Sequence, residues 1–277
     1  MLIFHKTPKK LLSVMFLILL GIVNTAFVFS QSKNTEKNTT SRIGLGYSFN
    51  GYREETIIGA NRYLNTFLLS VNGEVEKGKF LQAYNIGFFR GTNKAELAYP
   101  LYDYELRPEG YGQLFDSYKS KDNFTRFYME YALDYGLWGN ETFPGSLGGA
   151  LRTDLYVIDT LINPIYISFT GIVSFNLHLT QKLIINPANM FLLSFSMPLF
   201  GYAVRPHYIG FSAWPLEYGF TSILNYWAGF INVKYQYKIN SLLSLYSDAG
   251  IELSRIDFPK PRMDAGMKLN IGAAFTY

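Results

Sequence analysis

Residues 165 to 180 read Ile165-Tyr-Ile-Ser-Phe-Thr-Gly-Ile-Val-Ser-Phe-Asn-Leu-His-Leu-Thr180. Apolar Ile165, Ile167, Phe169, Val173, Phe175, Leu177 and Leu179 alternate with Tyr166, Ser168, Thr170, Ser174, Asn176, His178 and Thr180. Successive side chains of an extended chain point to opposite faces, so this period of two marks one long, two-faced β-strand. Strands of globular sheets mostly run ~5 to 6 residues, whereas a tilted strand that crosses a bilayer needs ~9 to 11. The stretch is therefore expected to be barrel wall, with one face toward lipid and the other toward a lumen.

The same alternation, punctuated by turn residues, recurs along the chain. It predicts ten strands, at about 42 to 50, 63 to 75, 79 to 90, 124 to 138, 146 to 158, 165 to 180, 183 to 198, 219 to 238, 241 to 256 and 261 to 277. Compact joints at 76 to 78, 139 to 145, 181 to 182 and 239 to 240 alternate with the opposite set, of which 51 to 62, 91 to 123 and 199 to 218 are long. Asn186-Pro187-Ala188-Asn189 is a competing turn inside 183 to 198. The fold expected is all-β, a single antiparallel up-and-down transmembrane barrel of about ten strands, with eight to twelve admissible, over 41 to 277.

Strand faces carry the charges to one side. In 124 to 138, Phe127, Met129, Tyr131, Leu133, Tyr135 and Leu137 share a face opposite Arg126, Tyr128, Glu130, Ala132, Asp134 and Gly136. The same parity assigns Arg152, Asp154, Lys234, Asp248, Glu252, Arg262, Asp264 and Lys268 to the lumen. An isolated buried charge costs several kcal/mol, so these groups should either pair into ladders or face water. Ladders would fill the barrel, and water would make a narrow polar pore.

The N-terminus has a basic stretch (His5, Lys6, Lys9, Lys10) followed by an apolar run from Leu11 to Phe29. This reads as a secretory signal over 1 to 30, followed by a polar tail over 31 to 40. Loss of Lys6, Lys9 and Lys10 lowers the formal charge from +4 to +1, which removes the electrostatic argument for nucleic acid. The chain has no cysteine, so disulfides, thiolate metal sites and acylation at cysteine are excluded. Aromatics equal charged residues at 17% each, against ~25% charged in a soluble domain, a balance that aromatic girdles explain. A soluble ligand-binding barrel would invert the pattern, with an apolar lumen and a polar exterior.

The last strand runs Met267-Lys-Leu-Asn-Ile-Gly-Ala-Ala-Phe-Thr-Tyr277, with Phe275 and Tyr277 on its apolar face. It resembles the C-terminal signal read by the barrel-insertion machinery in Gram-negative outer-membrane proteins, with Tyr277 where Phe is commoner. The resemblance covers eleven residues and implies a class, the outer-membrane β-barrels; with short turns periplasmic and long loops outside, the alternation of connections then puts both termini on the periplasmic side. Strand count and size are similar to those of omptin-type barrels and of the slightly larger outer-membrane phospholipase barrels.

Two hydrolase chemistries are open to such barrels. A serine lipid hydrolase needs its nucleophile within reach of a His base, which on one strand face means His-x-Ser, and the chain has none. His178-Leu179-Thr180 is the nearest imitation, and it is expected to be a lumen histidine bonded to its neighbours near a tight turn. An omptin-like protease needs acidic groups and an Asp-His couple at the outer rim. His207 in the second long loop could meet Asp103 or Glu105 of the first.

The loop 91 to 123 is rich in tyrosine and charge, with Tyr102, Asp103, Tyr104, Glu105 and Arg107 at its centre. Arg205, His207, Tyr208 and Trp214 in 199 to 218 complete a candidate recognition surface. The function expected is a narrow pore, or a structural or partner-binding barrel acting through these loops; an outer-membrane hydrolase is the alternative. No cofactor or metal is expected. Expected partners are outer-membrane lipid, the insertion machinery and other outer-membrane or surface proteins, and not nucleic acid.

Overall fold

The computed structural model describes residues 37–54, 61–97, 118–160, 167–206, 216–257 and 261–277. The segment expected to be a signal, 1 to 30, and the first part of the expected polar tail lie outside them. Among the described residues, alternation is realised as eleven strand segments and no helix. They are β1 (Lys37–Glu54), β2 (Asn61–Lys77), β3 (Phe80–Leu97), β4 (Tyr118–Trp138), β5 (Gly145–Thr160) and β6 (Ile167–Asn186). They continue with β7 (Asn189–Pro206), β8 (Leu216–Ser222), β9 (Tyr226–Lys238), β10 (Leu243–Ile256) and β11 (Arg262–Thr276).

Strands pair antiparallel with their chain neighbours, except that β8 and β9 both pair with β7 and not with each other, and β1 pairs with β11 from Thr40↔Thr276 to Glu54↔Arg262, so the sheet closes on itself. At the closure Tyr277 N donates to Thr39 O at 2.9 Å, and Thr39 N donates back to Tyr277 O at 3.2 Å. The wall has ten positions, because β8 and β9 together occupy one of them beside β7. Closure leaves no unpaired edge, which a sheet in hydrocarbon requires.

The period of two sorts the side chains. Ile43, Leu45, Tyr47 and Phe49 of β1, Phe67, Leu69 and Val71 of β2, and Leu269, Ile271 and Phe275 of β11 are exposed on the outside. Arg42 and Ser48 of β1, Thr66, Ser70, Asn72 and Glu74 of β2, and Asn270 of β11 are buried inside. The inversion relative to a soluble protein is that of a wall solvated by lipid.

Both ends of the described chain lie with the short connections. Three of those turns are built by asparagine, whose side chain mimics a backbone turn. Asn140 Oδ1 accepts from Phe143 N at 2.9 Å, Asn240 Oδ1 from Leu243 N at 2.8 Å, and Asn186 Oδ1 from Ala188 N at 2.9 Å. The fourth turn has Gly78 at φ 59°, in the left-handed region that favours glycine.

Several boundaries differ from those the sequence predicts. The turn expected at Gln181-Lys182 lies instead at Pro187-Ala188, so Gln181 to Asn186 extend β6 and Lys182 faces the lumen. Proline cannot donate to a ladder, and Asn186 closes the turn beside it. Residues 37 to 40, expected in the tail, belong to β1, and the strand predicted over 219 to 238 is two segments. Arg205, expected in a loop, is near the end of β7, 1% exposed and opposite Glu217 of β8. The alternation Gly201, Ala203, Arg205 carries it inward against Phe200 and Tyr202 outside. The other loop candidates, Tyr102, Asp103, Tyr104, Glu105, Arg107, His207, Tyr208 and Trp214, lie outside the described residues.

A charged lumen and the chamber it encloses

Strands that stand apart in the wall send long side chains across the lumen, and these meet in tiers. Nearest the short turns, Arg42 of β1 donates to Glu74 Oε1 of β2 at 2.8 Å and to Gln236 Oε1 of β9 at 2.9 Å. Lys234 of β9 reaches Asn72 Oδ1 at 3.2 Å and lies 3.7 Å from Glu74. Lys182 of β6 pairs with Glu76 and lies 3.9 Å from Glu74 Oε2. Glu74 thus collects three cations from three other strands, and this tier ties β1, β2, β6 and β9 together.

The second tier is toward the other end. Arg126 of β4 donates to Asp154 Oδ1 at 2.7 Å and pairs with Glu252 of β10 at 2.6 Å. Arg152 of β5 donates to Asp154 Oδ2 at 2.6 Å and to Glu130 Oε2 at 3.4 Å, with Glu252 at 3.8 Å. Aromatic faces enclose the guanidinium groups: Arg126 sits 4.7 Å from the Tyr156 ring, and Arg152 sits 3.7 Å from Phe230 and 4.9 Å from Tyr128. Three carboxylates thus hold two guanidiniums, so none of the five charges is stranded in a low dielectric. Above them Arg262 of β11 donates to Asp264 Oδ1 at 2.8 Å and to Thr170 Oγ1 of β6 at 3.2 Å. An inward apolar cluster of Leu64, Leu68, Phe89, Phe124, Tyr128 and Tyr156 packs around this tier.

Asp134 is apart from these ladders. It receives His178 Nδ1 at 2.8 Å across β5, where the intervening partner is Gly148. Thr180 Oγ1 donates to the same carboxylate at 3.5 Å, and Ser146 bonds Thr180. The carboxylate fixes the histidine ring, and the couple sits in the half of the wall near the short turns.

Between the tiers is a chamber of about 100 Å³, lined by groups of both signs that include Glu130, Asp248, Glu252, Lys234 and Lys268. At ~10 to 15 Å³ per water it has room for several water molecules. Lys268 lies 5.6 Å from the Tyr128 ring on its wall.

All eleven charges that parity assigns to the lumen thus have inward positions. The lumen also takes Arg42, Glu74, Glu76, Lys182, Arg205 and Glu217, which the sequence reading does not assign to it: Arg42 and Glu74 lie inside the strands predicted at 42 to 50 and 63 to 75 and share the parity of the inward set, whereas the other four lie beyond the predicted strand ends. Phe275 and Tyr277 are exposed on the outer face, where Tyr277 bonds Ser41 Oγ at 3.0 Å.

No protein-family model matches the chain, nor does any curated protein. Among solved structures it is similar to the outer membrane protease OmpT from Escherichia coli, with a TM-score of 0.50 and 8% identity over 89% of this chain and 99% of that one. It is also similar to the translocator domain of the autotransporter NalP from Neisseria meningitidis, with a TM-score of 0.43 and 8% identity over 96% of this chain and 97% of that one. Neisserial surface protein A aligns at a TM-score of 0.37 and 9% identity over 89% of this chain and all of the other. At such identities the likeness to OmpT is one of fold, that of a closed outer-membrane β-barrel.

Proposed function

We propose that the chain is an integral outer-membrane barrel that is closed along its axis and acts as a structural or partner-binding element through its outer loops. The observation that supports this most directly is the pairing of Arg126 and Arg152 with Glu252 across the lumen, repeated at the other end by Arg42 with Glu74 and Gln236. A ten-strand lumen is only slightly wider than side chains can fill, and open channels belong to barrels of ~16 to 18 strands. In this reading the short turns and both termini are periplasmic, and the long connections read from the sequence within 91 to 123 and 199 to 218 supply the surface that meets other outer-membrane or surface proteins. A rim hydrolase would need an acid-base cluster there, whereas the couple formed by Asp134 and His178 lies toward the short turns.

The absence of cysteine makes the topology directly testable. Tyr104→Cys should react with a membrane-impermeant maleimide on intact cells, and Asn240→Cys only after the outer membrane is permeabilised. Labelling of Asn240→Cys on intact cells, with Tyr104→Cys protected, would overturn the orientation and with it the role given to the loops.

A further inference from the structure

The last strand departs from the signal it resembles at Tyr277, where phenylalanine is commoner, so the hydroxyl is the part of this residue that the resemblance does not explain. The register shows where that hydroxyl goes. Tyr84 of β3, Gly73 of β2, Ser41 of β1 and Phe275 of β11 stand in one row across four strands, and the row crosses the seam at which the sheet closes. Parity puts all four on the outer face, with Phe88, Val71, Ile43 and Ile271. Gly73 is nevertheless buried, because the Tyr84 ring lies across it: a Cβ there would come within 2.5 Å of that ring.

The ring thereby carries its hydroxyl over β2 to Ser41 Oγ, 3.3 Å away. Tyr277, two residues beyond Phe275 and so on the same face, brings its own hydroxyl to Ser41 Oγ from the other side of the seam, at 3.0 Å. A serine hydroxyl has one proton and two lone pairs, so Ser41 can hold both phenols at once. This end of the seam is also tied on its inner face and in its plane. Thr40 and Thr276, paired in the register, bring their hydroxyls to 3.4 Å, and Thr39 and Tyr277 exchange the two backbone bonds that finish the ladder. The side-chain ties join residues 236 apart in sequence. Pairing the two ends of a chain closes the largest loop in the wall, and terminal segments stay ordered only where they are tied down.

We propose that the Tyr277 hydroxyl is a latch for barrel closure: together with Ser41, and with Tyr84 seated over Gly73, it clamps the last strand to the first at the end of the wall where the short turns lie. The role is separate from any that the terminal aromatic ring has in insertion, since phenylalanine at 277 would keep the ring and lose the tie. Tyr84 makes the device a clamp across four strands, because it fixes Ser41 from β3 while Tyr277 draws on it from β11. The latch acts on the closed barrel and is independent of what the outer loops meet.

Hydrogen exchange of the full chain, purified from the outer membrane of a Gram-negative host and placed in phosphatidylcholine bilayers, tests this through the C-terminal peptide 269 to 277. Tyr277→Phe should reach the outer membrane in the amount of wild type, and its C-terminal peptide should then exchange about fivefold faster through loss of one hydrogen bond. Ser41→Ala should give a similar acceleration, and the double variant no more than Ser41→Ala alone, because both changes break the same bond. Tyr237→Phe removes another exposed outer tyrosine hydroxyl, one with no bond to Ser41, and should leave this exchange unchanged. Peptide 147 to 157 of β5, half-way round the wall, should keep the wild-type rate in every variant. Exchange unaltered by Tyr277→Phe, or accelerations that multiply in the double variant, would overturn the latch. Loss of Tyr277→Phe from the outer membrane, with normal exchange in the chains that do insert, would overturn it too, since the hydroxyl would then serve insertion.

Discussion

Gly148 shows how much a single residue decides in this lumen. It lies between Asp134 and His178 in the register, and a Cβ there would come within 2.5 Å of Asp134 Oδ1 and 2.0 Å of Leu133 O. Its missing side chain is what lets a carboxylate of β4 reach an imidazole of β6. Gly148→Ala should therefore destabilise the barrel by about 1 to 3 kcal/mol, read as a lowered unfolding midpoint in detergent, with the His178 ring resonance shifted. An unchanged midpoint and resonance would show that Asp134 does not depend on that space. Glu252 makes the complementary case, since its carboxylate ties β10 to both Arg126 and Arg152. Glu252→Ala should cost about 1 to 2 kcal/mol through loss of its charge-assisted contacts, because Arg126 keeps Asp154 and Arg152 keeps Asp154 and Glu130. Parity made the inward position of both residues legible. Their partners were not legible, because which strands face each other across a lumen follows from closure and tilt, to which alternation is blind.

At the scale of the strand, the two-faced pattern of β6 is the strongest signal in the chain and the one the fold uses most literally. Val173 and Phe175 are exposed outside, and Ser174 and Asn176 are buried inside. An arginine on the lipid face near mid-membrane costs ~2 to 4 kcal/mol, so Phe175→Arg should lose that much stability, while Ser174→Ala should lose under about 1. Equal unfolding midpoints for Phe175→Arg and wild type would refute the face assignment. Where the sequence reading failed, a local signal competed with a regular one. Gln181-Lys182 looked like a turn because both are polar, yet Gln181 bonds the neighbouring hairpin at Pro144 O, 3.0 Å away, and Lys182 reaches the lumenal carboxylates. The division of 219 to 238 into β8 and β9 was hidden for a different reason. Ser222-Ile223-Leu224-Asn225 lacks Gly and Pro, and Asn225 Oδ1 fixes the turn by accepting from Ser222 N at 2.6 Å.

For the molecule as a whole, the exterior and the lumen answer different questions. The exterior, apolar and aromatic on every strand, gives the class of protein, and composition alone foreshadowed it. The lumen separates a pore from a plug, and there composition is silent, since the same charges would line water or pair with each other. In the structure they pair, in tiers that tie β4 and β5 to β10 and β1 and β2 to β9. Single-channel recording in planar bilayers tests that pairing most directly. Wild-type barrels inserted in the bilayer should give a flat baseline with no resolved conductance steps. Stable ohmic steps, with an ion selectivity that changes when Glu130 or Arg152 is neutralised, would contradict it.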